Sequence, residues 1–197
     1  RELRDAQARV ADYFRSHGLR VRNWKPKKLA RGLEIWSSAL SLNGQPYADI
    51  LGNGEPVAGW KALADFLRGD SPYTLPSIAL VILEKLVASN EADAKRFVEL
   101  GAELYGEFER ELGPNAVFLY PSHGWTAPRH GVPMMVPILW AYTAALNILE
   151  VPVTQVPLGL DRQGVPLGVQ VGSLRGNDHL TIRVANELEK GFGGWIR

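Results

Sequence analysis

At 197 residues and 46% apolar content the chain is long enough to bury a real core, and its composition excludes intrinsic disorder. Lysine and arginine total 22 against 21 acids, a formal net charge of +1, which excludes the broad basic field that nucleic-acid binding needs. Cysteine is absent, so disulfides, thiolate metal sites and cysteine nucleophiles are excluded too.

Leu3, Ala6, Val10, Tyr13 and Phe14 recur at helical spacing and predict a helix over residues 2–17, with Gly18 as its C-cap. Residues 19–22 (Leu-Arg-Val-Arg) read as a short strand. A helix feeding straight into a strand is half of a β-α-β unit, so a strand ahead of Arg1 is expected and the chain reads as part of a longer one. The charged start is not a secretory signal, and no apolar run reaches membrane-spanning length.

The run Lys25-Pro26-Lys27-Lys28 is too small a field for phosphate or membrane binding and reads as a solvated turn. A helix over residues 29–40, a loop bracketed by Asn43-Gly44 and Asn53-Gly54, and a helix over residues 57–69 follow. In the last of these Trp60, Leu63 and Leu67 form one stripe, for which core packing is expected. Six consecutive apolar residues, 78–83, argue a helix buried on several sides, or one that lines an apolar channel or meets a membrane. After a break at Ser89-Asn90, the residues Phe97, Gly101, Leu104, Phe108 and Leu112 mark a further helix that stops at Gly113-Pro114.

The uninterrupted apolar run 116–120 predicts a buried strand, and the loop at its carboxyl end, residues 121–133, is a candidate substrate-facing wall. Ser122 and His123 are adjacent there, yet neighbours on an irregular loop rarely aim at each other and no orienting acid is placed beside them. His123 and His130 lack a third metal ligand at a recognisable spacing. Pro137 opens a helix that carries Trp140, Tyr142, Ala145, Leu146 and Leu149.

Residues 153–172 predict two antiparallel strands joined by a polar turn ending in Gly164. In the second strand Val165, Leu167, Val169 and Val171 alternate with Pro166, Gly168, Gln170 and Gly172. One face is therefore apolar, and the other is nearly bare except for Gln170. Strand glycines mark close approach of another backbone or a ligand, so this face is either a site or a packing seam. Asn177 or Asp178 then caps a helix with the stripe Leu180, Val184, Ala185 and Leu188, an Arg183–Glu187 pair on its wet face, and Gly191 as its stop.

Taken together, Pro152-Val153-Thr154-Gln155-Val156-Pro157-Leu158-Gly159, Gly164-Val165-Pro166-Leu167-Gly168-Val169-Gln170, Asn177-Asp178-His179-Leu180 and the end Leu188 to Trp195 resemble the C-terminal end of amidase signature enzymes. The likeness is strongest to fatty-acid amide hydrolases of the second type, and it extends upstream through Val117 to His123 and Val132-Pro133-Met134. It implies an α/β fold: a partial amidase-signature fold in which a mixed sheet of about four strands is covered by helices, residues 1–197 forming the C-terminal portion of one domain. It also implies hydrolysis of a linear amide, or a related ester, by a serine, a second serine in a cis peptide and a lysine, without metal or cofactor.

Those catalytic groups belong to a Gly/Ser-rich signature N-terminal to the matched region. The Ser37-Ser38 pair lacks flanking glycines, so the resemblance transfers no catalytic residue to this chain and implies that it is inactive alone. It does imply that Pro137, Trp140 and Ala144 face the acyl-binding channel. The partners implied are a small-molecule amide and a missing N-terminal portion or complementary chain; a membrane surface and self-association are compatible with it, nucleic acid is not, and the chain carries no targeting segment to fix a localisation, a cytoplasmic or membrane-peripheral one being expected. The rival reading is a non-catalytic hydrophobic-ligand or protein-binding module on an amidase scaffold.

Overall fold

A computed structural model of the chain describes residues 2–87, 90–135 and 141–195, and it divides into two compact units, Arg1–Leu33 with Leu100–Arg197, and Glu34–Glu99.

The first unit is organised on β2 (Val153–Leu160) and β3 (Pro166–Gly172), the predicted hairpin. Asp161 makes the turn: its Oδ1 accepts the Gln163 and Val165 amides, each at 2.8 Å, and Gly164 supplies φ +78°. β1 (Phe118–Tyr120) pairs with the other edge of β3, giving the order β1-β3-β2, antiparallel throughout. Three strands thus stand, among the described residues, where about four in a mixed sheet were expected. β1 is half-buried rather than buried, as suits an edge strand.

Period-two alternation puts Val156, Leu158, Leu167, Val169 and Val171 on one face, where they pack with Ala6, Val10 and Phe14 of α1 (Glu2–Ser16) and with Leu188 of α9 (Asp178–Phe192). Val169, Val171 and Leu188 are fully buried, each contributing about 2 kcal/mol. Thr181 of α9 is also buried; Thr154 of β2 donates its hydroxyl to Thr181 Oγ1 at 2.9 Å, and Thr181 donates to Asp178 O.

Residues 19–22 do not form the expected strand. Leu19 is 56% exposed and Arg22 is drawn to the Glu111 carboxylate at 2.7 Å, so only Val21 of the segment packs against the core and no strand pairing forms. Lys28 is not a free solvated charge either: on a 3-10 turn (Lys27–Arg31) it sits 2.7 Å from Glu107 and 2.9 Å from Glu103, and these carboxylates raise its pKa.

Three local expectations at α9 are corrected. Asn177 does not cap the helix with its side chain, because its amide nitrogen donates to Pro114 O and Ser173 Oγ instead. The close ion pair of Glu187 is with Lys190 at 2.7 Å, and Arg183 acts on the same carboxylate only at longer range. The helix runs past Gly191 to Gly193, which takes the left-handed cap at φ +83°. Gly191 is small for another reason: an added methyl would lie 2.6 Å from the Tyr13 ring.

The second unit is helical: α2 (Gly32–Asn43), α3 (Tyr47–Leu51), α4 (Gly59–Arg68), α5 (Leu75–Val87) and the first turns of α6 (Glu91–Leu112). α3 lies within the predicted loop, its first amides held by the Glu84 carboxylate of α5. Asn90 Oδ1 accepts the Asp93 amide and starts α6.

α4 packs against α5 through Gly59, where a methyl would lie 2.8 Å from Ile82, and through buried Ala62. With that small face against α5, Leu63 of the expected core stripe is half-buried while Trp60 is 68% and Leu67 78% exposed. α5 is likewise buried on one side only, through Ile78 and Val81, with Leu80 and Leu83 about 40% exposed. Among the described residues, no helix is long and apolar enough to cross a membrane.

Candidate functional site

The alternation that buries the valines of β3 turns Gly168, Gln170 and Gly172 to the opposite face, beside Val153, Gln155 and Pro157 of β2 and Phe118 and Tyr120 of β1. The chain's own side chains fill both glycine gaps. A Cβ on Gly172 would lie 2.7 Å from both Cε atoms of Phe118, and one on Gly168 would overlap the Gln155 amide nitrogen. Phe118 is wedged edge-on against Phe108 at 5.1 Å, and Phe108 against Trp24 at 4.7 Å. Close packing therefore explains the glycines.

It does not explain Gln170. Its Oε1 is sealed from water and meets no hydrogen-bond donor among the described residues. The side chain lines a cleft of about 410 Å³ with Thr143, Leu146 and Asn147 of α8 (Ala141–Leu149), together with Glu150, Val151 and Val153. At the lip Glu150 holds a left-handed backbone, φ +53°, costly for a non-glycine residue. Arg175 braces that corner: Nε donates to Leu149 O at 3.0 Å, the guanidinium lies 3.4 Å from the Glu150 carboxylate, and it stacks 3.9 Å above the Tyr105 ring. Neither Glu150 nor Arg175 carried a sequence signal for this role, since the corner joins residues distant in the chain.

Tyr120, opposite Gln170 in the register, lies 6.1 Å from the Tyr142 ring, and burial pushes its phenol up, keeping it a neutral donor. Ser122 donates its hydroxyl to Gln155 Oε1. His123 turns away, with Nδ1 in contact with the Trp125 amide and carbonyl at 3.2 and 3.0 Å, so the adjacent serine and histidine are not a nucleophile and base. Ser16 does approach His17 Nδ1 at 3.2 Å, but on the exposed end of α1. Among the described residues no group of three His, Asp or Glu could hold a metal. Pro137 and Trp140 lie outside the described residues; Ala144 is on the buried side of α8, 2% exposed. The arrangement can shape and hydrogen-bond a ligand in the cleft, while the Ser122 hydroxyl is committed to the Gln155 amide.

No protein-family model matches the chain. Over 186 residues, 91% of its length, it is 40% identical to human fatty-acid amide hydrolase 2, and over its whole length 36% identical to fatty-acid amide hydrolase 2-B of Danio rerio. It spans about a third of these relatives, 35% and 38% of their lengths. A crystal structure described as an amidase superposes on 98% of the chain with a TM-score of 0.71 at 19% identity, the chain covering 42% of it. The sheet and helices described above are thus a partial amidase fold, and the chain belongs to the amidase signature family, as a stretch similar to part of fatty-acid amide hydrolase 2.

Proposed function

We propose that these residues form the C-terminal part of a serine amide hydrolase acting on the C–N bond of linear amides, fatty-acid amides or related amides and esters among them. In this reading the chain supplies a wall of the substrate channel and the sheet that supports it. Pro137, Trp140 and Ala144 contribute to the wall together with Leu146, Val151 and Val153, and the nucleophilic serine, its partner serine and the lysine come from outside residues 1–197.

The observation that carries the reading is the extended identity to fatty-acid amide hydrolase 2 joined to the committed state of Ser122, whose hydroxyl serves Gln155 rather than a base. Acyl transfer needs an activated nucleophile and oxyanion donors, and two further serines are engaged structurally: Ser37 donates to Glu34 O, and Ser173 to Ala116 O. The test is to treat the full-length gene product with a fluorophosphonate that modifies active serines and to map the modified peptide. The label is expected on a serine outside these 197 residues. A label on Ser122 or any other serine of this chain, or turnover of an oleamide-like or anilide substrate by the isolated 197-residue chain, defeats the reading.

A further inference from the structure

We infer that Arg175 is a positioning residue: it clamps the C-terminal end of α8 and so sets the width of the substrate channel without touching substrate. For its kinetic consequence the inference rests on the channel reading above; for its structural one it stands alone. α8 (Ala141–Leu149) has 9 residues, too few to be stable by itself, and the last carbonyls of a helix find no partner within it. Arg175 supplies one: Nε donates to Leu149 O at 3.0 Å, where a cation also meets the negative end of the helix dipole. The same guanidinium lies 3.9 Å above the Tyr105 ring of α6, so a second element fixes its plane.

The root of this arm is fixed as well. Arg175 sits in the turn between β3 and α9, where the Asn177 amide donates to Leu174 O at 3.1 Å and Gly176 takes φ +80°. Asn177 Nδ2 donates to Pro114 O at 2.9 Å and to Ser173 Oγ at 3.2 Å, and Ser173 Oγ donates in turn to Ala116 O at 2.8 Å. The asparagine that does not cap α9 thus holds the turn that carries Arg175. Past the clamped carbonyl the chain reverses through Glu150 at φ +53°, a conformation that persists only where its surroundings impose it. Arg175 also lies 3.4 Å from the Glu150 carboxylate, but with the side chains 45% and 72% exposed that ion pair contributes little. The clamp is therefore the hydrogen bond and the ring stack, and both need a guanidinium rather than a bare charge. Leu146 and Val151 flank the clamped carbonyl and line the cleft, so a helix end that slides changes the width of the channel.

The test takes the full-length gene product with Arg175→Met, Arg175→Lys, Tyr105→Leu or Tyr105→Phe. It follows hydrogen exchange in the peptide spanning residues 146–153 and turnover of an oleamide-like substrate. Arg175→Met should speed exchange in that peptide about tenfold, the scale of one charge-assisted hydrogen bond. It should raise KM by a similar factor and leave kcat unchanged, because the nucleophile is held elsewhere. Arg175→Lys should resemble Arg175→Met although it keeps the charge. Tyr105→Leu should fall between them and the parent, and Tyr105→Phe, which keeps the ring, should match the parent. A residue that merely stabilised the fold would act differently, since a partly unfolded enzyme loses kcat and keeps its KM. Unchanged exchange in Arg175→Met, a lysine variant that behaves as the parent, or a fall in kcat at constant KM overturns the inference. Should the methionine variant fail to fold, Arg175→Lys and Tyr105→Leu carry the same test. A gene product that turns over no amide or ester sinks the amidase reading, and the exchange measurement then decides this inference alone.

Discussion

Gly172→Ala tests the packing that closes the outer face of the sheet. The added methyl would overlap Cζ of Phe118 and sit 2.7 Å from both of its Cε atoms, against an ordinary contact of about 3.4 Å or more, so the ring must retreat by on the order of 1 Å. Phe118 has nowhere easy to go, because Phe108 stands edge-on at 5.1 Å and is itself backed by Trp24 at 4.7 Å. Overpacking of this kind costs about 1–3 kcal/mol, and loss of part of the edge-on aromatic contact adds about 0.5–1 kcal/mol. Replacing glycine also restricts the unfolded chain, which returns about 0.4–1 kcal/mol. The net expectation is destabilisation of about 2 kcal/mol, a fall in Tm of roughly 4–8 °C for a chain of this size. Thermal unfolding followed by near-ultraviolet circular dichroism, which reports the Trp24–Phe108–Phe118 stack, measures it. A Phe118→Leu change in the same background should recover part of the loss, since it removes the ring that the methyl strikes. An alanine variant as stable as the parent, or a double variant that shows no recovery, would refute the reasoning.

Thr181→Val should cost about 1–2 kcal/mol in urea unfolding, because it strips the Thr154 hydroxyl of its acceptor and the Asp178 carbonyl of a donor in a buried place. The double variant with Thr154→Val should cost less than the sum of the two single changes. The Asp161 carboxyl is held below its ordinary value of 3.8, first by the Val165 amide and then by that of Gln163. Its contribution to the turn is therefore complete above that ordinary value and disappears as pH falls through the lower, folded one. Amide resonances of Gln163 and Val165 followed from pH 6 downward should titrate together below the usual carboxylate range, and independent titration would count against the shared acceptor.

Much of the first unit was legible because its physics is local. The β2–β3 hairpin is specified by alternation plus a turn whose aspartate and glycine lie within four residues of each other, and α1 by a stripe that meets that sheet. Where the sequence misled, a distant partner decided the outcome. Residues 19–22 have strand composition, but Leu19 faces solvent and Arg22 is held by Glu111. Trp60 and Leu67 look like core until Gly59 and Ala62 prove to be the face that α5 needs. Asn177 is spent tying α9 to Pro114 and Ser173 instead of capping it. The same division holds at the cleft. Alternation alone singled out Gln170, whereas the left-handed Glu150 and the Arg175 brace depend on a corner assembled from residues about 25 positions apart.

The central place of β3 sets an order for assembly. Phe118 of β1 finds its pairing residue at Gly172, more than fifty positions later, while β2 meets β3 across a turn of a few residues. During synthesis the early strand must therefore wait on the ribosome's progress, and the late hairpin arrives as a preformed ribbon onto which it zips. A ribosome that stalls anywhere between these points releases a nascent chain with its edge bare, the form in which such a polypeptide is most open to chaperone capture or clumping.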